Sequence, residues 1–258
     1  MSFKSPLRYP GGKTRAIKIL EGYVEEYFPG RTVLLSPFLG GGSFELSMAA
    51  LGLTIHGNDL FRPLYTFWKT AQEDAAVLAD RVKEQMPVSK ETFLELRSNI
   101  LTSTEMARDY YIINRCSFSG STFCGGYSKQ AAEGRLTESS LLTLRSVDLS
   151  KVHVTNLDAI AFLELHPPVA NTFVYADPPY YIETYLYGKD GDMHEGFNHA
   201  AFATALRARS DWILSYNDCE YIRTLYAGCR FFEESWSYGM NKSKKSSELI
   251  ILPPLSPS

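Results

Sequence analysis

The tetrapeptide Asp177-Pro178-Pro179-Tyr180, entered from the apolar run Thr172-Phe173-Val174-Tyr175-Ala176, constrains this chain more than any other stretch. A β-branched and aromatic run that stops at two prolines predicts a buried strand opening into a loop. The prolines donate no backbone hydrogen bond and fix φ at about −65°. A carboxylate and an aromatic ring are thereby held on a stiff loop at a strand's C-terminal end. In open α/β sheets that end is where ligands sit. A rigid turn with an aspartate cap accounts for the same four residues without any chemistry, so the decision falls to the other segments.

Several of them repeat the strand-to-turn pattern. Residues 32–36, Thr-Val-Leu-Leu-Ser, predict a short strand that ends in Pro37-Phe38-Leu39-Gly40-Gly41-Gly42-Ser43 and passes into a helix. Strand, glycine-rich turn and helix form the nucleotide-cradling arrangement of α/β proteins. The turn lacks both the Gly-Lys-Ser/Thr of a P-loop and the GxGxxG spacing, so a nucleoside-like ligand is indicated rather than a phosphate. The next run, residues 53–59, ends in Asn58-Asp59, roughly 20 residues past the glycines, where a carboxylate can accept from ribose hydroxyls. An N-cap for the following helix is the alternative for Asn58-Asp59. Upstream, Arg8-Tyr9-Pro10-Gly11-Gly12-Lys13 predicts a turn leading into a helix with Ile17, Leu20, Val24 and Phe28 on one face. A lysine in a first helical turn opposes the helix dipole, which suggests an anionic or carboxylate-bearing ligand nearby.

Between residues 70 and 150 the periodicity is helical and no strand is predicted. Within it, residues 114–128 are polar, aromatic and glycine-rich, with Arg115, Lys129 and Arg135 around them. That mixture suits contacts to a nucleic-acid backbone and bases, and equally a plain surface loop. The α/β rhythm returns with Val152-His153-Val154-Thr155, followed by Asn156-Leu157-Asp158 and a helix. It continues with the strand before Asp177, the strand at residues 212–216, and closing strands around a basic tip at residues 241–246.

Composition sets limits. With 258 residues and 45% hydrophobic content the chain can bury a full core. No run reaches the roughly 20 apolar residues that span a bilayer, and the N-terminus lacks a signal-peptide core. Cys116, Cys124, Cys219 and Cys229 form no CxxC and no zinc spacing, so reduced thiols in a cytoplasmic protein are expected. His194 and His199 stand five apart, on different helix faces, and no metal site is expected. A net charge of −3 argues against a uniformly basic nucleic-acid binder. Its distribution is uneven: Lys4, Arg8, Lys13, Arg15 and Lys18 lie in a segment without acids, and Lys242, Lys244 and Lys245 crowd the C-terminal tip.

Taken in order, residues 8–13, 37–42, 58–59 and 177–180 resemble the motifs of the Dam-type adenine-specific DNA methyltransferases, which use S-adenosylmethionine (SAM). Residues 114–128 are similar to that family's arginine-bearing loop, and Ser247-Glu248-Leu249-Ile250 to its ending, so the likeness spans nearly the whole chain. The resemblance implies an α/β, Rossmann-like methyltransferase sheet with an inserted helical target-recognition domain. Residues 1–69 and 150–258 would form the catalytic, SAM-binding domain and residues 70–149 the recognition domain. It implies that Tyr9, Lys13, Pro37, Phe38, Gly40, Asp59 and Asp177 line the cofactor pocket, with Leu157 and Asp158 near the cofactor's adenine. Asp177, Pro178, Pro179 and Tyr180 are its expected catalytic loop. Arg115, Ser117, Ser119, Thr122, Tyr127, Lys129, Lys242, Lys244 and Lys245 are the expected DNA contacts. The GATC-reading relatives carry an arginine and asparagine pair where Ser121-Thr122-Phe123-Cys124-Gly125-Gly126 stands, so GATC recognition is not carried over.

The implied activity is site-specific methylation of adenine N6 in double-stranded DNA. It is expected of a monomer in a bacterial or phage-encoded cytoplasmic setting, with a cognate restriction endonuclease as a candidate partner. Two other readings stay open: an amino-methyltransferase acting on RNA adenine or cytosine N4, and a DNA-binding regulatory module with an idle pocket. Protein glutamine methyltransferases resemble Asn-Pro-Pro-Tyr rather than the aspartate found here.

Overall fold

The computed structural model describes residues 4–9, 13–181, 197–237 and 245–255, with backbone alone at 235–237 and 245–247. A single turn of 3-10 helix, Lys13–Arg15, precedes α1 (Ile17–Tyr27), so the helix expected from Lys13 begins four residues later. The chain then runs through β1 (Val33–Ser36), α2 (Ser43–Ala50), β2 (Thr54–Asn58) and α3 (Arg62–Glu84). Four more helices follow without a strand: α4 (Lys90–Asn99), α5 (Met106–Cys116), α6 (Lys129–Arg135) and α7 (Glu138–Arg145). The alternation resumes with β3 (Val152–Thr155), α8 (Ala159–Leu165), β4 (Thr172–Ala176), α9 (His199–Arg207), β5 (Trp212–Asn217) and α10 (Glu220–Leu225). Two strands close the chain, β6 (Arg230–Ser237) and β7 (Lys245–Leu252).

The strands form one sheet in the order β3-β2-β1-β4-β5-β7-β6. β1 to β5 pair in parallel, and β7 runs antiparallel to both neighbours. Chain order reverses between β1 and β4, which makes the gap beyond their C-terminal ends the switch-point crevice of the sheet. β4 shows why its sequence is apolar without interruption. Phe173 and Tyr175 pack into the core on one face, while Val174 and Ala176 pack into the core on the other. The first core is covered by α1, α2 and α3, and the second by α8, α9 and α10. This is the α/β, Rossmann-like methyltransferase arrangement.

α3 is broken at Asp74, where the backbone leaves helical geometry (φ −159°, ψ 91°) and the carboxylate accepts from the Val77 N–H. Its first half buries Leu64, Phe67 and Trp68 near the sheet, and its second half buries Leu78 and Val82 among the helices that follow. Those helices close no separate core. Phe93, Tyr110, Tyr111, Leu141 and Leu144 join the same hydrophobic cluster as Phe173 and Tyr175. No helix among the described residues is long and apolar enough to cross a membrane.

Candidate active site

The walls of the crevice are set by the strand ends. Asn58, fully buried at the end of β2, donates to the Pro37 and Leu157 carbonyls (3.2 and 2.9 Å) and accepts from the Leu157 N–H and the Thr155 hydroxyl (both 2.9 Å). One side chain thus joins the ends of β1, β2 and β3. The adjoining Asp59 accepts from the Gly40 N–H at 3.0 Å and the Phe61 N–H at 2.9 Å. It is therefore not the N-cap of α3, a position held by Phe61. Burial pushes the Asp59 carboxyl up to about 6, against the pull of those two N–H groups.

The glycine turn needs its glycines. Gly40 and Gly42 have left-handed φ values of 49° and 63°, and a Cβ on Gly41 would lie 2.6 Å from that of Tyr9. Tyr9 accordingly lies flat along the turn, where it brings the N-terminal segment to the crevice. Phe38 is half-buried and meets Phe197 and Phe202 edge-on (5.5 and 5.1 Å between centroids). Leu157 is partly buried in the same cluster. Asp158 caps α8 by accepting from the Ile160 N–H at 2.8 Å.

Asp177 leaves β4 directly into this crevice, its side chain 23% exposed. The loop after it is clamped: the Tyr181 N–H donates to Asn217 Oδ1 at 3.0 Å, and Asn217 Nδ2 donates to the Tyr181 carbonyl at 2.9 Å. Tyr180 stacks on Tyr216, with centroids 6.1 Å apart. Lys13 enters from the opposite side. Its Nζ lies 2.9 Å from Asp177 Oδ1, 2.9 Å from the Tyr180 hydroxyl and 3.3 Å from Glu248 Oε2, and Lys13 is almost wholly buried. The charge expected to meet an anionic ligand group thus meets two carboxylates of the chain itself. Burial raises the Asp177 and Glu248 carboxyls above their ordinary values, and Lys13 opposes the rise in both. Below them, buried Glu45 in the first turn of α2 accepts from the Ser36 hydroxyl at 2.7 Å and is pushed up to about 7 by its burial.

The structure brings Tyr9, Pro37, Phe38, Gly40, Asp59, Leu157, Asp158 and Asp177 to the C-terminal ends of β1 to β4, with Pro178, Pro179 and Tyr180 following. Glu45, Tyr216 and Asn217 belong to the same neighbourhood and were not expected there, while Asn58 and Glu248 lay in the matching stretches 58–59 and 247–250 without an assigned role. The signal for Glu248 was a lone acid opening the run Leu249-Ile250-Ile251-Leu252.

The residues expected on DNA fall into two sets. Ser119 and Lys129 are exposed. Ser117 and Thr122 are buried and turned inward: the Ser117 hydroxyl accepts from the Thr122 N–H at 2.9 Å, and Thr122 accepts from Asn114 Nδ2 at 3.1 Å. They hold the loop's shape instead of presenting side chains to a groove. Tyr127 is half-buried and donates to the Val88 carbonyl at 3.1 Å. Arg115 donates to the carbonyls of Arg135 and Pro6. Arg8 donates to those of Arg115 and Ser117. Lys242, Lys244 and the Lys245 side chain lie outside the described residues, as do Pro10, Gly11, Gly12 and His194. Among the described residues no cluster of His, Cys, Asp or Glu is arranged to hold a metal.

Residues 9–240 match the family model described as D12 class N6 adenine-specific DNA methyltransferase. The chain belongs to that family. The match contains every strand and turn of the crevice except β7, so the family's chemistry, methyl transfer from SAM, applies to this fold. No curated protein matches the chain. Among solved structures it is similar to magnesium protoporphyrin IX methyltransferase from Synechocystis PCC 6803 with bound SAM, at 12% identity and a TM-score of 0.39, over 94% of this chain and 80% of that one.

Proposed function

We propose that this D12 class chain methylates the exocyclic N6 of an adenine in double-stranded DNA, with the base turned out of the helix into the crevice between β1 and β4. The observation that carries the reading is Asp177, a partly exposed carboxylate fixed at the switch point with Tyr180 on the same clamped loop. The residues around it fit SAM. Each Asp59 oxygen takes one backbone N–H and keeps a lone pair for a ribose hydroxyl. Phe38 and Leu157 offer apolar walls for the cofactor's adenine. Bound SAM supplies a sulfonium methyl, a strong electrophile.

The remaining task for the chain is to make a poor nucleophile attack. The N6 lone pair of adenine is delocalised into the ring. The Asp177 carboxylate and the Pro178 carbonyl accept its two hydrogens and draw the nitrogen towards tetrahedral geometry, localising the pair for in-line attack. SAM would supply the methyl and keep the bonding pair on its sulfur; the chain's own part is at Asp177, which takes the proton that N6 sheds. Orientation and pre-set dipoles supply the main rate terms. Tyr180 stacks on the extruded base and offsets part of its unstacking, at about 1–3 kcal/mol per stacked base.

The reading places the DNA backbone along Arg8, Arg115 and Arg135. Burial, with the nearby Arg135 charge adding to it, lowers Arg8 and Arg115 from their ordinary values, and the side-chain hydrogen bonds of these two go to carbonyls. It also assigns backbone contacts to Ser119, Lys129, Lys242, Lys244 and Lys245. It describes a monomer in a bacterial or phage-infected cytoplasm, with a restriction endonuclease as candidate partner. The test is to incubate the protein with SAM and unmethylated duplex, digest to nucleosides and identify the product by mass spectrometry. N6-methyladenine is expected. N4-methylcytosine, or modification of RNA alone, overturns the reading.

A further inference from the structure

We infer that Trp68 is a positioning residue for the cofactor: its indole N–H fixes Gly40, and through Gly40 the Asp59 carboxylate that receives the ribose. The inference rests on the reading of Asp59 given above and goes beyond it to a side chain buried too deeply to touch the cofactor.

The two ends of the glycine turn are held by backbone alone. The Leu39 N–H donates to the Asn58 carbonyl at 2.7 Å, and the Gly42 N–H donates back to the Leu39 carbonyl at 2.9 Å. Gly40 lies between them at φ 49°, with no side chain to limit the rotation of its two peptide groups. Its own polar groups reach outside the turn. The N–H donates to Asp59 Oδ2 at 3.0 Å, and the carbonyl accepts from Trp68 Nε1 at 3.0 Å. One residue thus joins the ribose acid on one side to an indole on the other.

Trp68 is the fixed end of that link. It is 1% exposed on α3, its ring meets Phe67 edge-on (5.1 Å between centroids), and Phe67 stacks on Tyr111 of α5 (5.7 Å). The same indole limits the shape of the turn, since a Cβ on Gly42 would lie 3.1 Å from its Cζ2. A buried indole N–H needs an acceptor, and any carbonyl would satisfy it. The one it takes belongs to the residue whose N–H orients Asp59. Without that bond Gly40 is free to turn, and Asp59 loses the hold of a donor. A donor on a carboxylate favours its charged form, so the aim of Asp59 and its ionisation suffer together.

The test compares wild type with Trp68→Phe and with a protein carrying benzothienylalanine at position 68, which keeps the shape of the indole and puts sulfur in place of the N–H. In both, SAM affinity measured by calorimetry near neutral pH is expected to weaken by about 3–10-fold, the size of one lost hydrogen bond. The loss should appear in the KM for SAM more than in the rate at saturating SAM. A second readout needs neither cofactor nor DNA. The Asp59 carboxyl signal in 13C-aspartate NMR, assigned by its loss in Asp59→Asn, should titrate roughly half to one unit higher in both proteins than in wild type. Asp59 is otherwise faced by the Phe61 N–H and by the hydroxyls of Tyr9 and Tyr110, and neither replacement removes any of these. Weakened SAM binding with an unmoved Asp59 titration means that Trp68 only packs, and that result overturns the inference, as does wild-type affinity. If Trp68→Phe does not fold, the benzothienylalanine protein, which opens no cavity, decides by the same two outcomes. If Asp59→Asn binds SAM as wild type does, it is the parent reading of Asp59 that fails.

Discussion

Glu45 offers a quantitative test of the electrostatics beneath the site, independent of any substrate. Its carboxyl is 4% exposed and accepts from the Ser36 hydroxyl, and the nearby Asp177 carboxylate adds to the cost of ionising it. Burial is the largest cause of its rise from 4.5 to about 7. Because the folded state holds this proton more tightly than the unfolded state, protons favour folding. The group costs nothing below pH 4.5, where both states are protonated. Stability is then lost as the pH rises to about 7, and the full cost persists above it. That rise corresponds to about 3 kcal/mol. Glu45→Gln keeps the shape and the acceptor for Ser36 and has no charge to bury. The variant should match wild type near pH 4.5 and exceed it by about 3 kcal/mol at pH 8, or roughly 6–12 °C in melting temperature for a chain of this size. Urea titrations at both pH values measure the difference directly. If the two proteins lose stability in parallel between pH 4.5 and 8, Glu45 is ionised without penalty and the reasoning is refuted.

Four other outcomes are expected. Asp177→Ala should abolish methyl transfer while the far-UV circular dichroism stays native, and near-normal turnover sinks the proposed mechanism. SAM affinity, measured by calorimetry, should fall as the pH drops below about 6, because Asp59 must be ionised to accept from ribose hydroxyls; Asp59→Asn should remove that dependence. Asp211→Ala leaves Arg209 as a buried cation without the bidentate partner it now has at 2.7 and 2.8 Å, at a cost of about 3–5 kcal/mol in urea unfolding. His56 and His166 are held below 6.5, each chiefly by burial, so the unfolded chain binds their protons more readily. Stability should therefore rise with pH through the window just below 6.5, and His56→Gln should flatten that rise in pH-dependent melting.

Much of the sheet was legible because β4 and β5 are buried on both faces and so read as unbroken apolar runs. The turns at Gly40–Gly42 and Pro178–Pro179 mark the ends of β1 and β4 by residues that only special backbones require. What periodicity could not convey was the division of labour among the charges. Lys13 stands in a basic N-terminal segment, and its sequence neighbours give no hint that it is buried. Its partners are brought to it by the strand order: Asp177 from β4, and Glu248 from a strand that inserts between β5 and β6. A lysine expected at the cofactor pocket is, in the folded chain, also the counterion of two carboxylates.

Two of the DNA contacts expected within residues 114–128, Ser117 and Thr122, face inward for a related reason. The loop's serines, threonine and glycines look like surface material, yet Ser117 and Thr122 spend their polar groups inside the loop. Ser119 and Thr122 adopt left-handed φ values of 54° and 50°, which their side chains tolerate poorly without support. Asn114 supplies it: its amide donates to the Arg8 carbonyl at 2.6 Å and to Thr122, and its carbonyl accepts from the Arg8 N–H at 2.9 Å. The same asparagine thus fixes the loop and the segment that carries Tyr9 towards the glycine turn. The loop proposed to face DNA and the turn proposed to face the cofactor are tied through one buried amide, so a substitution such as Asn114→Ala should disturb both together.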